Sequence, residues 1–140
     1  MGYRRVAREC ALQMLYQMEV GRHEAEAVRT SYWETTRQPD RVRSFADRLF
    51  GGAVSRLGEI DRLVQEHTRH WKMRRLAAVD RNLLRLAVYE LVSGSDTPGT
   101  VVINEALEIA KKYSTQDSAQ FVNGVLDSIM NSLPASEEKS

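Results

Sequence analysis

Hydrophobic side chains return every third or fourth residue through almost the whole chain, and this period near 3.6 limits what the chain can build. Strand-like alternation of useful length is missing from the sequence. Prolines 39, 98 and 134 stand where the periodic segments start or stop, as expected of a residue suited to a helix's first position or to the stretch beyond its end. The pattern predicts a first helix from about Tyr3 to Glu19, ended near Gly21, and a second over roughly Glu24–Thr35. A third is predicted from about Arg41 to Leu57 and a fourth, set off by Gly58, from Glu59 to about His70. Trp71 to Arg75 reads as a basic connector. A fifth helix spans about Leu76 to Ser93, stopped by Gly94, and a sixth runs from Thr97-Pro98 to about Tyr113. The last begins near Asp117 and ends before Pro134. The β-branched run Thr100 to Ile103 has a strand as its rival reading, but the helical period continues through Val102, Ala106, Ile109 and Tyr113.

Each segment has a readable face. In the first, Tyr3, Ala7, Cys10, Ala11, Met14 and Met18 share a stripe, with Arg4, Arg5 and Arg8 beside it and Leu12 and Tyr16 on the arginine side. In the fifth, Val79, Leu83, Leu86, Ala87 and Leu91 form the stripe, and Arg81, Arg85 and Tyr89 lie opposite. Glu108 and Lys112 form a favourable i,i+4 pair. Asp117 with Gln120 resembles a capping box. Gly51-Gly52 interrupts the third segment and marks close packing or a bend. Gly124 lies inside the helical stretch FVNGVLD, where glycine costs about 0.8–1 kcal/mol relative to alanine. A neighbouring backbone that approaches closely is its expected compensation, from Val101–Ala110 or the first helix.

The expected architecture is therefore all-α: about seven helices in one domain of 140 residues, with sub-bundles of about 1–70 and 71–134. Hydrophobic residues at 42% and charged residues at 28% are ordinary for a globular core. A single cysteine, Cys10, allows no internal disulfide and fits a reducing, cytoplasmic setting. The expectation is of no membrane span, because no apolar run approaches about 18 residues, and of no secretion signal, because the arginine-bearing N-terminus shows no apolar h-region with a cleavage site. The net charge of +1 hides a basic start, since Arg4, Arg5 and Arg8 precede the first acidic residue.

Catalysis finds little support in the residues. His67 and His70 with Glu66 supply too few ligands at this spacing for a metal, and read more simply as a solvated helix end. Cys10 reads as a small buried hydrophobe. Gly51-Gly52 lacks the Lys-Ser/Thr of a phosphate loop. The expectation is a protein that is not an enzyme and uses no cofactor or metal. Binding finds more. Arg4, Arg5 and Arg8 could meet phosphates bidentately, or form an ordinary solvated face. The start of the last helix offers free N–H groups, opposed by Asp117. Phe121 is either core or a platform for an unpaired base. If the first helix lies against the last, with Gly124 as the flat spot, these signals merge into one surface.

The stretches RRVARECALQMLYQME at 4–19, VDRNLLRLAVYEL at 79–91, VVINEALEIAKKYS at 101–114 and DSAQFVNGVLD at 117–127 resemble the NusB family, in order and spacing. The resemblance implies two small helical bundles and a role in transcription antitermination. It further implies binding to the single-stranded boxA element of nascent ribosomal RNA, as a heterodimer with NusE, a small-subunit ribosomal protein. Through that pair, other Nus factors and RNA polymerase are engaged. It implies RNA contacts at Arg4, Arg5, Arg8, Ser118, Gln120 and Phe121, and a NusE face at Tyr16 and Asp80. Some relatives also associate as homodimers. A helical protein-interaction module without an RNA role is the alternative, served equally by Leu12 and Tyr16, and a NusB-like domain of an RNA methyltransferase is a third reading.

Overall fold

The computed structural model describes residues 2–68 and 72–134. Among them are seven α-helices and no strand: α1 (Tyr3–Gly21), α2 (Ala25–Thr35), α3 (Asp40–Ser55), α4 (Leu57–Thr68), α5 (Ala78–Val92), α6 (Gly99–Tyr113) and α7 (Gln116–Ser132). A single 3-10 turn at Met73–Arg75 leads into α5. His70, the expected end of the fourth helix, and Trp71, the expected start of the connector, lie outside the described residues. None of the described helices is long and apolar enough to cross a membrane.

The punctuation residues act mostly as anticipated. Pro39 and Pro98 cap α3 and α6 from the position just before each helix. Gly94, at φ +73°, takes the left-handed conformation that terminates α5. The end of α1 differs. Gly21 stays helical, and Arg22 adopts φ 55° while its N–H returns to the carbonyls of Glu19 and Met18. The break between α3 and α4 also falls two residues earlier than Gly58, at Arg56, and Gly58 sits in the first turn of α4. Gly51-Gly52 does not interrupt α3. A Cβ on Gly52 would come within 2.1 Å of the Tyr89 ring, so the glycine admits an α5 aromatic against the α3 backbone.

α5 is the hub, packing on α1, α3, α4, α6 and α7. Its environment explains why a one-sided stripe misjudged it. Leu83, Leu84, Leu86, Ala87, Val88 and Leu91 are buried, and so are Asp80, Asn82, Arg85 and Glu90 on its polar side. Charges that deep persist only when paired. Arg85 donates to both carboxylate oxygens of Asp61, at 2.8 and 2.9 Å, and to Glu19 at 3.1 Å. Arg81 forks onto the same Glu19 at 2.8 and 2.9 Å. Burial pushes the Glu19 carboxyl up, but its bonds from Arg81, Arg85 and Asn82 outweigh that and hold it below the ordinary value.

Three further expectations are corrected. Leu12, on the arginine side of α1, is 3% exposed and belongs to the core, because α1 packs on α2 and α3 as well as α5. Lys112 turns away from Glu108 and bonds Glu9 of α1 at 2.8 Å, while Lys111 takes Glu108. Gly124 is exposed, and a Cβ there would meet nothing within 4 Å, so no helix approaches it. Its cost in helix propensity is left without a packing return.

Candidate nucleic-acid interface

α1 and α5 run antiparallel: Arg8 meets Glu90 near one end of the pair, and Glu19 meets Arg81 near the other. α6 runs parallel to α1, tied to it by Arg5–Glu105 at one level and by Gln13–Tyr113 and Glu9–Lys112 further along. The start of α7 follows α6 directly. The expected union of α1 with α7 is therefore not what forms. α7 packs chiefly on α6, α5 and α4, and α1 on α3, α5 and α2. The arginines at the start of α1 lie near the N-terminal half of α6, and Ser118, Gln120 and Phe121 lie beyond its C-terminal end. Two separate edges result, one near each end of the ladder of bonds between α1 and α6.

At the α1 edge the three arginines have three fates. Arg8 is 4% exposed and forks onto Glu90, itself 2% exposed, at 2.7 and 2.9 Å. Arg5 is half-buried and forks onto Glu105 at 2.7 Å for both bonds. That bond is the main reason the Glu105 carboxyl is held below its ordinary range. Arg4 alone is exposed, with its guanidinium carbon 5.5 Å from the Tyr3 ring centre. Helical spacing placed the three together along α1, yet Glu90 and Glu105 come from α5 and α6 and balance two of the charges.

At the α7 edge the cap is Thr115, not Asp117: its hydroxyl accepts from Ser118 N–H at 3.0 Å. Asp117 is exposed in the first turn. Ser118 Oγ donates to Asp80 Oδ2 at 2.9 Å, which links an expected RNA contact to an expected partner contact. Asp80 Oδ1 is buried without a partner. Gln120 is exposed, and Phe121 is half-buried against the core, so its ring is partly core and partly surface. Tyr16 is 39% exposed and Val20 53%. They line a hollow of about 520 Å³ with Gly21, His23 and Ala27, between α1 and α2.

Cys10 is buried, and burial pushes its thiol up, which leaves it a poor nucleophile. His67 bonds Ser128 through Nδ1 at 2.7 Å. Among the described residues no three His, Cys, Asp or Glu side chains group to hold a metal.

Sequence reasoning missed a second arginine group, on α3. Arg41 and Arg4 both stand over the Tyr3 ring, Arg41 at 4.7 Å, and Arg48 and Arg8 both stand over Phe45, at 4.9 and 5.5 Å. Tyr3 and Phe45 meet edge to face at 6.4 Å. The available signal was the spacing of Arg41, Phe45 and Arg48, which puts all three on one helical face.

The described residues form an all-helical domain built around a buried, ion-paired hub, with two polar edges. The chain belongs to the NusB family, whose sequence profile matches residues 5–131. It is 49% identical over 139 residues to the transcription antitermination protein NusB of Koribacter versatilis, covering 99% of this chain and 95% of that one. The corresponding protein of Solibacter usitatus is 44% identical over 137 residues, covering 96% and 92%. Among solved structures, NusB of T. maritima superposes with a TM-score of 0.87 at 38% identity, covering 97% of this chain and 95% of that one. NusB in a crystal structure of antitermination factors NusB and NusE in complex with dsRNA superposes with a TM-score of 0.86 at 29% identity, covering 95% and 99%.

Proposed function

We infer that this chain is a transcription antitermination factor that binds RNA together with NusE, and that it works by binding alone, without a catalytic step. The observation that carries the reading is near-full-length likeness to proteins of that name, 49% identical in the first case. The fold it shares with a NusB–NusE–dsRNA complex supports the same partners. Its setting in this reading is the cytoplasm, where it joins the other Nus factors on RNA polymerase.

The ligand we assign is the single-stranded boxA element. Arg4 meets phosphate directly. Arg5 and Arg8 hold the start of α1 onto α6 and α5, and Arg5, the more exposed of the two, exchanges Glu105 for phosphate when RNA arrives. Ser118, Gln120 and Phe121 form the far end of the site, where an exposed amide and part of a ring suit base edges and faces. The NusE face is assigned to Tyr16 and Asp80. Tyr16 and Val20 expose apolar surface beside a hollow, and Asp80, itself 7% exposed, accepts a hydrogen bond from Ser118 of the RNA assignment.

Anisotropy of a labelled boxA RNA, titrated with the protein alone and with NusE, tests the reading. RNA binding that strengthens with NusE and weakens with salt is expected. A protein-interaction module without an RNA role predicts no RNA response in either titration. Sedimentation of the protein alone and with NusE then separates heterodimer from homodimer.

A further inference from the structure

The face built by α1 and α3 carries more uncompensated positive charge than the start of α1 does alone. Arg4, Arg41 and Arg48 are exposed, and none of them makes an ion pair among the described residues. This separates them from Arg5 and Arg8, whose charges are met by Glu105 and Glu90. The carboxylates nearby are few and only partly occupied. Asp47 accepts from Trp33 Nε1 at 2.7 Å and faces Arg29 at 3.5 Å, while Asp40 and Asp96 are exposed.

We propose that the RNA backbone continues from Arg4 onto α3, where Arg41 and Arg48 bind two further phosphates beside the Tyr3–Phe45 ring pair. This rests on the RNA-binding reading above and extends its site to a helix that reading does not use. Three features favour it. Arg41 and Arg48 are two turns apart on one face of α3, so both point to the same side, with Phe45 between them. Each guanidinium lies against a ring, 4.7 Å from the Tyr3 centre and 4.9 Å from that of Phe45. A guanidinium held this way loses rotamer freedom in advance and keeps its N–H donors for the two oxygens of a phosphate. Finally, Arg4 and Arg48 line a hollow of about 260 Å³ between α1, α3 and the α5–α6 loop. Its lining includes Ser93, Thr97 and Ser95, whose Oγ is buried without a hydrogen-bond partner. Hydroxyls and guanidinium groups around an open hollow suit a phosphodiester better than an apolar or acidic partner, with Asp96 the one opposing charge that is free.

The test compares binding of a short single-stranded boxA RNA, with NusE present, to the wild-type chain, the double variant R41A/R48A, the double variant R41K/R48K, and Arg62→Ala. Arg62 is an exposed arginine on α4, away from this face. R41A/R48A should bind roughly tenfold more weakly at low salt, and its log–log salt slope should be shallower by about 1.4, the value for two phosphates on a single strand. R41K/R48K should keep the slope and lose part of the affinity, because the charge stays and the planar fork goes. Arg62→Ala should match wild type. Thermal melts coincident with wild type show that the exposed substitutions leave the fold alone. If R41A/R48A keeps wild-type affinity and slope while Arg4→Ala weakens binding, the α3 track is wrong and the RNA reading stands. If the wild-type chain with NusE binds no RNA, the broader reading fails first.

Discussion

The edge formed by α1 and α3 and the edge formed by the start of α7 are built from opposite electrostatics. At the first, Arg4, Arg41 and Arg48 stand free beside two aromatic rings. At the second, Asp117 is exposed, and Lys111 and Lys112, near the end of α6, are engaged by Glu108 and Glu9. The first edge suits phosphates, which are recognised by charge. The second suits bases, which are recognised by hydrogen bonds and ring contact. Between them, arginine serves a third purpose. Arg8, Arg81 and Arg85 are paired inside the molecule and fix α1 to α5. Identical residue types thus divide into binding and structural roles according to what faces them.

Arg8→Ala should test that division most severely. It strands the Glu90 carboxylate, 2% exposed, beside α1. Breaking a buried pair from one side costs about 3–5 kcal/mol, read as a lower urea midpoint. Replacing both partners, as R8M/E90L, should recover much of that loss, because neither charge remains to be desolvated. Arg4→Ala at the same edge should leave stability within about 0.5 kcal/mol and weaken RNA binding. A stability loss at Arg4 equal to that at Arg8 would erase the distinction.

Glu105→Gln should free an arginine that RNA otherwise has to detach from its carboxylate. It releases Arg5 from the carboxylate it now forks onto. RNA binding should tighten, because Arg5 no longer has to leave a carboxylate to reach phosphate, and the salt dependence should persist. The same variant has a pH signature. Arg5 holds the Glu105 carboxyl below its ordinary value of 4.5, so the unfolded chain binds more protons than the folded one in that window. The pair's contribution is therefore present above about pH 4.5 and lost as the pH falls through the depressed folded value. Melting temperatures should fall less steeply under acid for Glu105→Gln than for wild type. An identical acid limb would count against the pair as a contributor.

Asp117→Asn addresses the other edge. Thr115 already supplies the cap, so the carboxylate is dispensable for starting α7. Removing its charge should tighten RNA binding about twofold to fivefold, with little change in melting. Weaker binding with an unchanged melt would argue that RNA does not pass this helix start. An effect of similar size is expected at Gly124→Ala. With open space around the position, alanine should stabilise α7 by about 0.8–1 kcal/mol, measured by urea unfolding. A loss of stability would mean that Gly124 has a contact to protect.

Much of the fold was legible from local chemistry. Pro39, Pro98 and Gly94 marked helix ends because their backbone limits hold whatever surrounds them. Gly52 was legible only as a choice between a bend and close packing, and the Tyr89 ring decided it from another helix. Thr115 was passed over as a cap in favour of Asp117, since both residue types cap helices and only the hydrogen bond to Ser118 N–H distinguishes them. The candidate site was less legible. Arg4, Arg5 and Arg8 look alike on a helical wheel, and Glu90 and Glu105 lie more than 80 residues away along the chain. Arg41, Phe45 and Arg48 shared a visible face, but nothing local ties that face to the start of α1.

The sequence by itself determined the helices, most of their boundaries and the family, because period, proline and glycine act over one or two turns and need no partner. Tertiary structure alone decided which charges are spent. Whether an arginine binds RNA or braces the core depends on whether a carboxylate from a distant helix reaches it, and that is set by how α1 and α6 settle around α5.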